Sequence, residues 1–194
     1  MLNYFELTKS KIRRKILSHF FSNIDQELYL REIARTINED PGNLSKELSK
    51  LEKEQLFLSK FKGNQKYYYL NKEYPLFNEI KSVVFKTIGI NWLIQNLIKN
   101  YQGIICTFIY GSFANNTENS YSDIDLCLII DNNIFNDNDF IVGINRIEKE
   151  ISRDIEYIYY SENEWIKKIK SKDTFILNLL SKTKIILKGD ISGL

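Results

Sequence analysis

Two apolar, β-rich runs, Ile104 to Tyr110 and Ile124 to Ile130, flank the polar stretch that begins Gly111-Ser112 and ends Asp123. Runs of this length and composition are strands, and the residues at their ends carry chemistry. One strand stops on Tyr110-Gly111-Ser112. The other opens on Ser122-Asp123-Ile124-Asp125-Leu126, with two aspartates separated by one residue. A third strand is predicted over Ile155 to Tyr160 and a short fourth over Ile185 to Leu187, with helical spacing over Phe140 to Ile151, Glu162 to Ile169 and Thr174 to Leu180. Strands and helices interspersed in this way make the second half of the chain an α/β or α+β domain.

The first half follows another pattern. Ile12, Ile16, Leu17 and Phe20 recur at three- and four-residue spacing and predict an amphipathic helix over Lys9 to Phe21, with Arg13 and Arg14 on its polar side. A short extended Leu28-Tyr29-Leu30 follows, then a helix over Arg31 to Ile37. A third helix starts at Pro41, is capped by Asp40, and runs through Leu44, Leu48 and Leu51 to about Gln55. LFLSKFKGNQKYYYL then alternates, and Gly63-Asn64 supplies the positive-φ residues of a two-residue hairpin turn. From Tyr74 to about Asn100 one or two helices are expected, with Pro75 near the start and Gly89 as a break.

Composition narrows the chemistry. A single histidine, His19, sits mid-helix in KILSHFF, where packing or exposure explains it; His-based zinc sites, Ser-His-Asp triads and Cys-His pairs are excluded, so any catalysis runs on carboxylates. Cys106 and Cys127 lie in apolar strands without metal or redox spacing and are expected to be buried free thiols in a reducing, cytoplasmic setting. No apolar run reaches the roughly 18 to 20 residues of a membrane span, and MLNYFELTKSKIRRK has no apolar signal core, so no membrane partner is expected. Lys+Arg against Asp+Glu is 15 to 11 over residues 1–84 and 12 to 14 over residues 85–194. A basic front and a slightly acidic back suit a nucleic-acid-facing module joined to a carboxylate-bearing one.

Three features suit phosphoryl transfer. Gly111 lets backbone approach a phosphate, Ser112 adds a hydroxyl, and a helix beginning there would aim free N–H groups at an anion. Strand periodicity puts Asp123 and Asp125 on one face, where their repulsion makes Mg²⁺ the natural complement. The strand Arg153-Asp154-Ile155-Glu156 offers Asp154 or Glu156 as a third carboxylate. Glu162 and Glu164 fall in a solvated helix, and Asp137 and Asp139 read as loop residues.

Gly111, Ser112, Asp123 and Asp125 together resemble the motif of the minimal nucleotidyltransferase family of the DNA polymerase β-like superfamily. The resemblance implies that Gly111 and Ser112 hold the phosphates of a nucleoside triphosphate. It also implies that Asp123 and Asp125 bind Mg²⁺, with two ions possible, and that Glu156 completes the catalytic and metal-binding triad, following the Arg153-x-Ile155 pattern. The implied reaction is nucleotide transfer from an NTP to an acceptor, with a protein hydroxyl as one candidate. Two departures stand out: Asn115-Asn116 replaces the family's Arg-Gly, and glutamate replaces the commoner aspartate as third acid. They support an alternative, a transcription regulator whose nucleotidyltransferase-like domain senses nucleotide or binds a partner without catalysis.

Lys11 to Leu70 resembles the winged helix-turn-helix of bacterial and archaeal transcription regulators. That resemblance points Asn43, Ser45 and Lys46 at DNA bases and phosphates, and places Lys60, Lys62 and Lys66 of the wing over the backbone. A homodimer interface or protein binding is the alternative use of this module. The expected architecture is α+β: a winged helix-turn-helix DNA-binding domain (residues 1–73), a helical connector (residues 74–100) and a mixed-sheet α/β nucleotidyltransferase domain (residues 101–194).

Overall fold

A computed structural model of the chain describes residues 8–99, 101–119 and 121–191. The first seven residues, which open the segment read above as lacking a signal core, and Asn100 at the end of the expected connector lie outside the described residues. The chain divides into two compact units, Met1–Trp92 with Glu150–Ser152, and Leu93–Lys149 with Arg153–Leu194.

In the first unit, helix α1 (Lys11–Ser22) starts where the Ser10 hydroxyl accepts the Arg13 N–H at 3.2 Å. Strand β1 (Leu28–Tyr29) leads into α2 (Leu30–Thr36), whose N-terminus is closed by Glu32 accepting the Tyr29 N–H at 3.1 Å. Helix α3 (Pro41–Lys53) has proline in its first turn, where no N–H is needed, and the expected cap: Asp40 accepts the Asn43 N–H at 2.9 Å. Strands β2 (Phe57–Lys62) and β3 (Gln65–Leu70) form a hairpin, and β1 adds to it antiparallel in the order β1-β3-β2. Gly63 takes φ +59°, whereas Asn64 is not among the described positive-φ residues. One left-handed residue followed by an ordinary one is a II′-type demand, so the turn requires Gly63 alone and not the pair.

The apolar positions expected in the three helices are the core of this unit: Ile16, Phe20, Leu44 and Leu48 are fully buried, and the Phe20 ring meets Phe57 edge-on at 4.9 Å. Arg13 does more than face solvent. Its Nε donates to Glu47 at 2.5 Å and its other nitrogens reach Glu54, tying α1 to α3. His19 is buried, with Nε2 2.9 Å from Gln26 Oε1, and burial pushes its pKa down to about 4. Helices α4 (Phe77–Thr87) and α5 (Ile90–Lys99) are separated at Gly89, whose N–H reaches the Val84 carbonyl at 2.7 Å.

The second unit is a mixed sheet with helices, an α+β arrangement. Its elements are β4 (Ile104–Tyr110), α6 (Gly111–Asn115), β5 (Ile124–Ile130), α7 (Asp137–Ile151), β6 (Ile155–Ser161), α8 (Glu162–Lys170), α9 (Thr174–Ser181) and β7 (Ile185–Lys188). The strand order is β6-β5-β4-β7. β4 runs antiparallel to both β5 and β7, while β5 and β6 are parallel across the α7 crossover. Cys106, Phe108, Cys127 and Ile129 bury one face with Trp165 of α8 and Ile176 and Leu179 of α9. Both cysteines are free and buried. Asp137 and Asp139, read as loop residues, instead form the first turn of α7. Asn136 Oδ1 accepts the Asn138 N–H, and acids there complement the helix dipole. No helix among the described residues is long and apolar enough to cross a membrane.

Candidate active site

The C-terminal end of β4 and the N-terminal ends of β5 and β6 meet at one edge of the second unit's sheet. Tyr110 lies opposite Asp125 in the antiparallel pair, and Asp125 lies level with Glu156 in the parallel pair. Side chains alternate along a strand, so Asp125, Cys127 and Ile129 of β5 point to the same face, the one lined by α8 and α9, and Asp123 stands just ahead of the strand. Asp125 is half-buried; Asp123 and Glu156 are exposed. Burial, then repulsion from Glu156 and from Asp123, raises the Asp125 carboxyl above the usual aspartate range. Asp154 is not among the charges that act on Asp125. Its carbonyl instead accepts the Ile124 N–H at 3.0 Å and sets the strand register.

Gly111 is the tightest point of this edge. Its φ is +69°, a conformation that favours glycine, and a Cβ built there would overlap the Asp125 carboxylate oxygen. The glycine is needed twice over, for the turn out of β4 and for the approach of the carboxylate. Tyr110 precedes it in extended backbone and makes no side-chain cap on α6. Burial and the Asp125 charge push the Tyr110 phenol up to about 12, which keeps it neutral. At the other end of α6, Asn116 adopts φ 55° and its N–H returns to the Ser112 carbonyl. Asparagine is the side-chain-bearing residue best suited to left-handed backbone, so residue 116 keeps the turn a glycine would make. Asn115 is exposed at the end of α6.

The donor set gathered here is carboxylate oxygen alone, which fits a hard divalent cation such as Mg²⁺ and not a metal that prefers thiolate or imidazole. Among the described residues, no three His, Cys, Asp or Glu side chains form a metal-holding group.

A family model described as "Polymerase beta, Nucleotidyltransferase" matches residues 93–191. The chain belongs to this nucleotidyltransferase family. No curated protein matches it. A solved structure titled "Crystal structure of the toxin-antitoxin with AMP-PNP" is similar at 16% identity over 53% of this chain and 76% of that one, with a TM-score of 0.36.

Within the nucleotidyltransferase match, Glu162 and Glu164 serve the start of α8. Ser161 Oγ accepts the Glu164 N–H at 3.2 Å and Glu164 accepts the Ser161 N–H at 2.9 Å, a reciprocal cap. A residue that local spacing did not mark as functional is Arg153, 7% exposed just before β6. Its Nη1 donates to the Asn119 carbonyl at 2.8 Å and to the Ser122 carbonyl. Its sequence separations of 34 and 31 residues from those acceptors explain why.

Outside the nucleotidyltransferase match, the first unit places the remaining candidates on its surface. Asn43 and Lys46 are exposed in the first turns of α3 and Ser45 is half-buried. Each hairpin lysine has a carboxylate partner: Lys60 and Lys62 both donate to Glu27, at 2.5 and 2.8 Å, and Lys66 donates to Glu52 at 2.7 Å. Each also lies over a tyrosine ring, Tyr69, Tyr67 and Tyr68 in turn, at 4.7 to 5.2 Å. These intramolecular pairs span 33, 35 and 14 residues, beyond the reach of local pattern.

Proposed function

We propose that the second unit transfers a nucleotide from a nucleoside triphosphate to an acceptor hydroxyl in a Mg²⁺-dependent reaction, and that the first unit is a winged helix that brings it to DNA. The observation that carries the first part is the register that sets Asp125 level with Glu156 and against Gly111, with Asp123 near enough for its charge to act on Asp125. In this reading Asp123, Asp125 and Glu156 would hold Mg²⁺ through carboxylate oxygens. When bound, that ion would neutralise charge on the phosphates and polarise the α-phosphate. Gly111, lacking a Cβ, lets the Asp125 carboxylate close on the backbone turn out of β4, and Ser112 would offer its hydroxyl to a phosphate there. The acceptor oxygen forms a bond to the α-phosphorus, the bond to pyrophosphate breaks, and the hydroxyl proton passes to water. The acceptor hydroxyl could belong to a protein.

Asn115, where relatives carry arginine, favours a second reading in which this edge binds nucleotide and regulates without turnover. Incubating the full chain with labelled ATP, CTP, GTP or UTP, Mg²⁺ and cell extract separates the two. The transferase reading expects a labelled acceptor that is lost in Asp123→Ala/Asp125→Ala. Nucleotide binding by calorimetry with no labelled acceptor would favour the regulator.

Support for the DNA half comes from the order of three helices and a hairpin and from exposed Asn43 and Lys46 on α3. Fluorescence anisotropy with a duplex from upstream of its own gene should show binding at low salt, with Lys46→Ala lowering the salt slope by about 0.9. Absence of any affinity at low salt would remove this half of the proposal.

A further inference from the structure

The three elements of the candidate site come from separate stretches of chain, and one side chain touches or borders all three. Arg153 is buried immediately before β6, three residues ahead of Glu156. Its guanidinium lies over the Phe113 ring at 5.1 Å, on α6 two residues beyond Gly111. Its Nη1 donates to the carbonyls of Asn119 and Ser122, the two ends of the turn that delivers the chain into β5.

That turn is closed locally by modest bonds: Ser122 N–H to the Asn119 carbonyl at 3.2 Å, Asn119 N–H to Ser122 Oγ at 3.0 Å, and Tyr121 N–H to Asn119 Oδ1 at 2.8 Å. Arg153 takes hold of it through two backbone carbonyls. The Ser122 carbonyl belongs to the same planar peptide as the Asp123 nitrogen, so holding that oxygen fixes the peptide plane from which Asp123 springs. Asp125 follows two residues later on the same face. The long, forked guanidinium suits the task because its Nη1 reaches both oxygens while its central carbon stays over the Phe113 ring.

We infer that Arg153 is a positioning residue that sets the geometry of the Asp123–Asp125 pair relative to α6 and Glu156, and so sets the affinity of that edge for a divalent cation. The inference rests on the proposed metal-binding role of the carboxylates.

Mn²⁺ binding to the full chain, followed by electron paramagnetic resonance and calorimetry, tests it with four variants. Asp123→Ala/Asp125→Ala tests the underlying site and is expected to abolish specific binding. Arg153→Met is expected to weaken Mn²⁺ by about tenfold or more, the range seen when groups that orient metal ligands are removed. Arg153→Lys keeps the buried charge and is expected to recover part of that loss, remaining about threefold or more below the parent. Leu179→Ala, in α9 and away from the turn, lowers stability without touching it, and should leave Mn²⁺ affinity within about twofold.

If the double variant binds Mn²⁺ like the parent, the metal site itself is wrong and the inference falls with it. If the double variant loses binding while Arg153→Lys, and Arg153→Met where it folds, bind within about twofold of the parent, the site stands and the positioning role is refuted. A loss in Leu179→Ala equal to that in the Arg153 variants would also refute it, by reducing the effect to general destabilisation.

Discussion

Replacing Gly111 by alanine asks whether the sheet edge needs its close approach or only its backbone turn. At φ +69° an L-residue costs about 1–2 kcal/mol relative to glycine. For a unit of about a hundred residues each kcal/mol lowers the melting temperature by about 4–8 °C, so a drop of roughly 5–15 °C is expected from backbone strain alone. The new Cβ would also collide with the Asp125 carboxylate, which must move from its present position. Gly189 provides the control. It has φ +73°, and a Cβ there would strike the Ile105 carbonyl, at the far end of β4 and roughly 15 Å from Tyr110 at strand rise. Both variants should melt lower, as read by calorimetry on the full chain. Only Gly111→Ala should lose Mn²⁺ and nucleotide affinity, by about tenfold or more, the effect of misplacing a ligand. Equal affinity losses in the two variants, or none in Gly111→Ala, would refute the reasoning that Asp125 is held against a Cβ-free surface for binding.

Three further outcomes are expected. Glu156→Ala should abolish most Mn²⁺ affinity while Asp154→Ala changes it little, because Glu156 lies level with Asp125 and Asp154 serves through its backbone; the reverse ranking in a calorimetric titration would reassign the third carboxylate. His19 is protonated near 6.5 in the unfolded chain but only near 4 when buried, so stability is full above pH 6.5. It should fall by roughly 3 kcal/mol as pH drops towards 4. Urea titrations across that window should show this component in the parent and not in His19→Leu, and identical pH dependence in the two would rule it out. Glu27→Gln should free Lys60 and Lys62 for phosphate, raising affinity for DNA and steepening the log–log salt dependence by up to about 1.8; an unchanged slope would mean those lysines stay off the duplex.

What could be read in advance follows the range of the forces involved. The strands β4 and β5 stand where their apolar runs put them, because a strand covered on both faces writes itself as continuous hydrophobicity. The cap at Asp40 and the apolar stripe of α1 are settled within four residues and are equally visible, whereas Ser10, read as helical, caps α1 instead. Where a second local choice competed, the reading slipped: Asp137 and Asp139 look like turn formers until Asn136 supplies the cap that draws them into α7. The parallel register that sets Glu156 beside Asp125, the pairing of the hairpin lysines with Glu27 and Glu52, and the reach of Arg153 to Asn119 all join residues far apart in sequence. No periodicity encodes them.

The departures at the candidate site have unequal weight once the backbone is considered. Asn116 keeps the left-handed turn that the family's glycine would make, so in the proposed reading only Asn115 would change what the site presents to a phosphate. Beside that single difference from the family pattern stand two features of the same site. Gly111 is held at positive φ against a carboxylate, and Asp125 is partly buried among like charges that raise its pKa. Elsewhere in the same unit β5 has apolar residues on both faces and α8 carries a reciprocal cap. Gly103 and Gly189 of the same unit are likewise crowded at positive φ, and what sets Gly111 apart is the carboxylate packed against it, where the proposed reading puts the ligand. In the proposed reading, asparagine at 115 in place of the family's arginine would loosen the grip on phosphate without removing the role of the carboxylates.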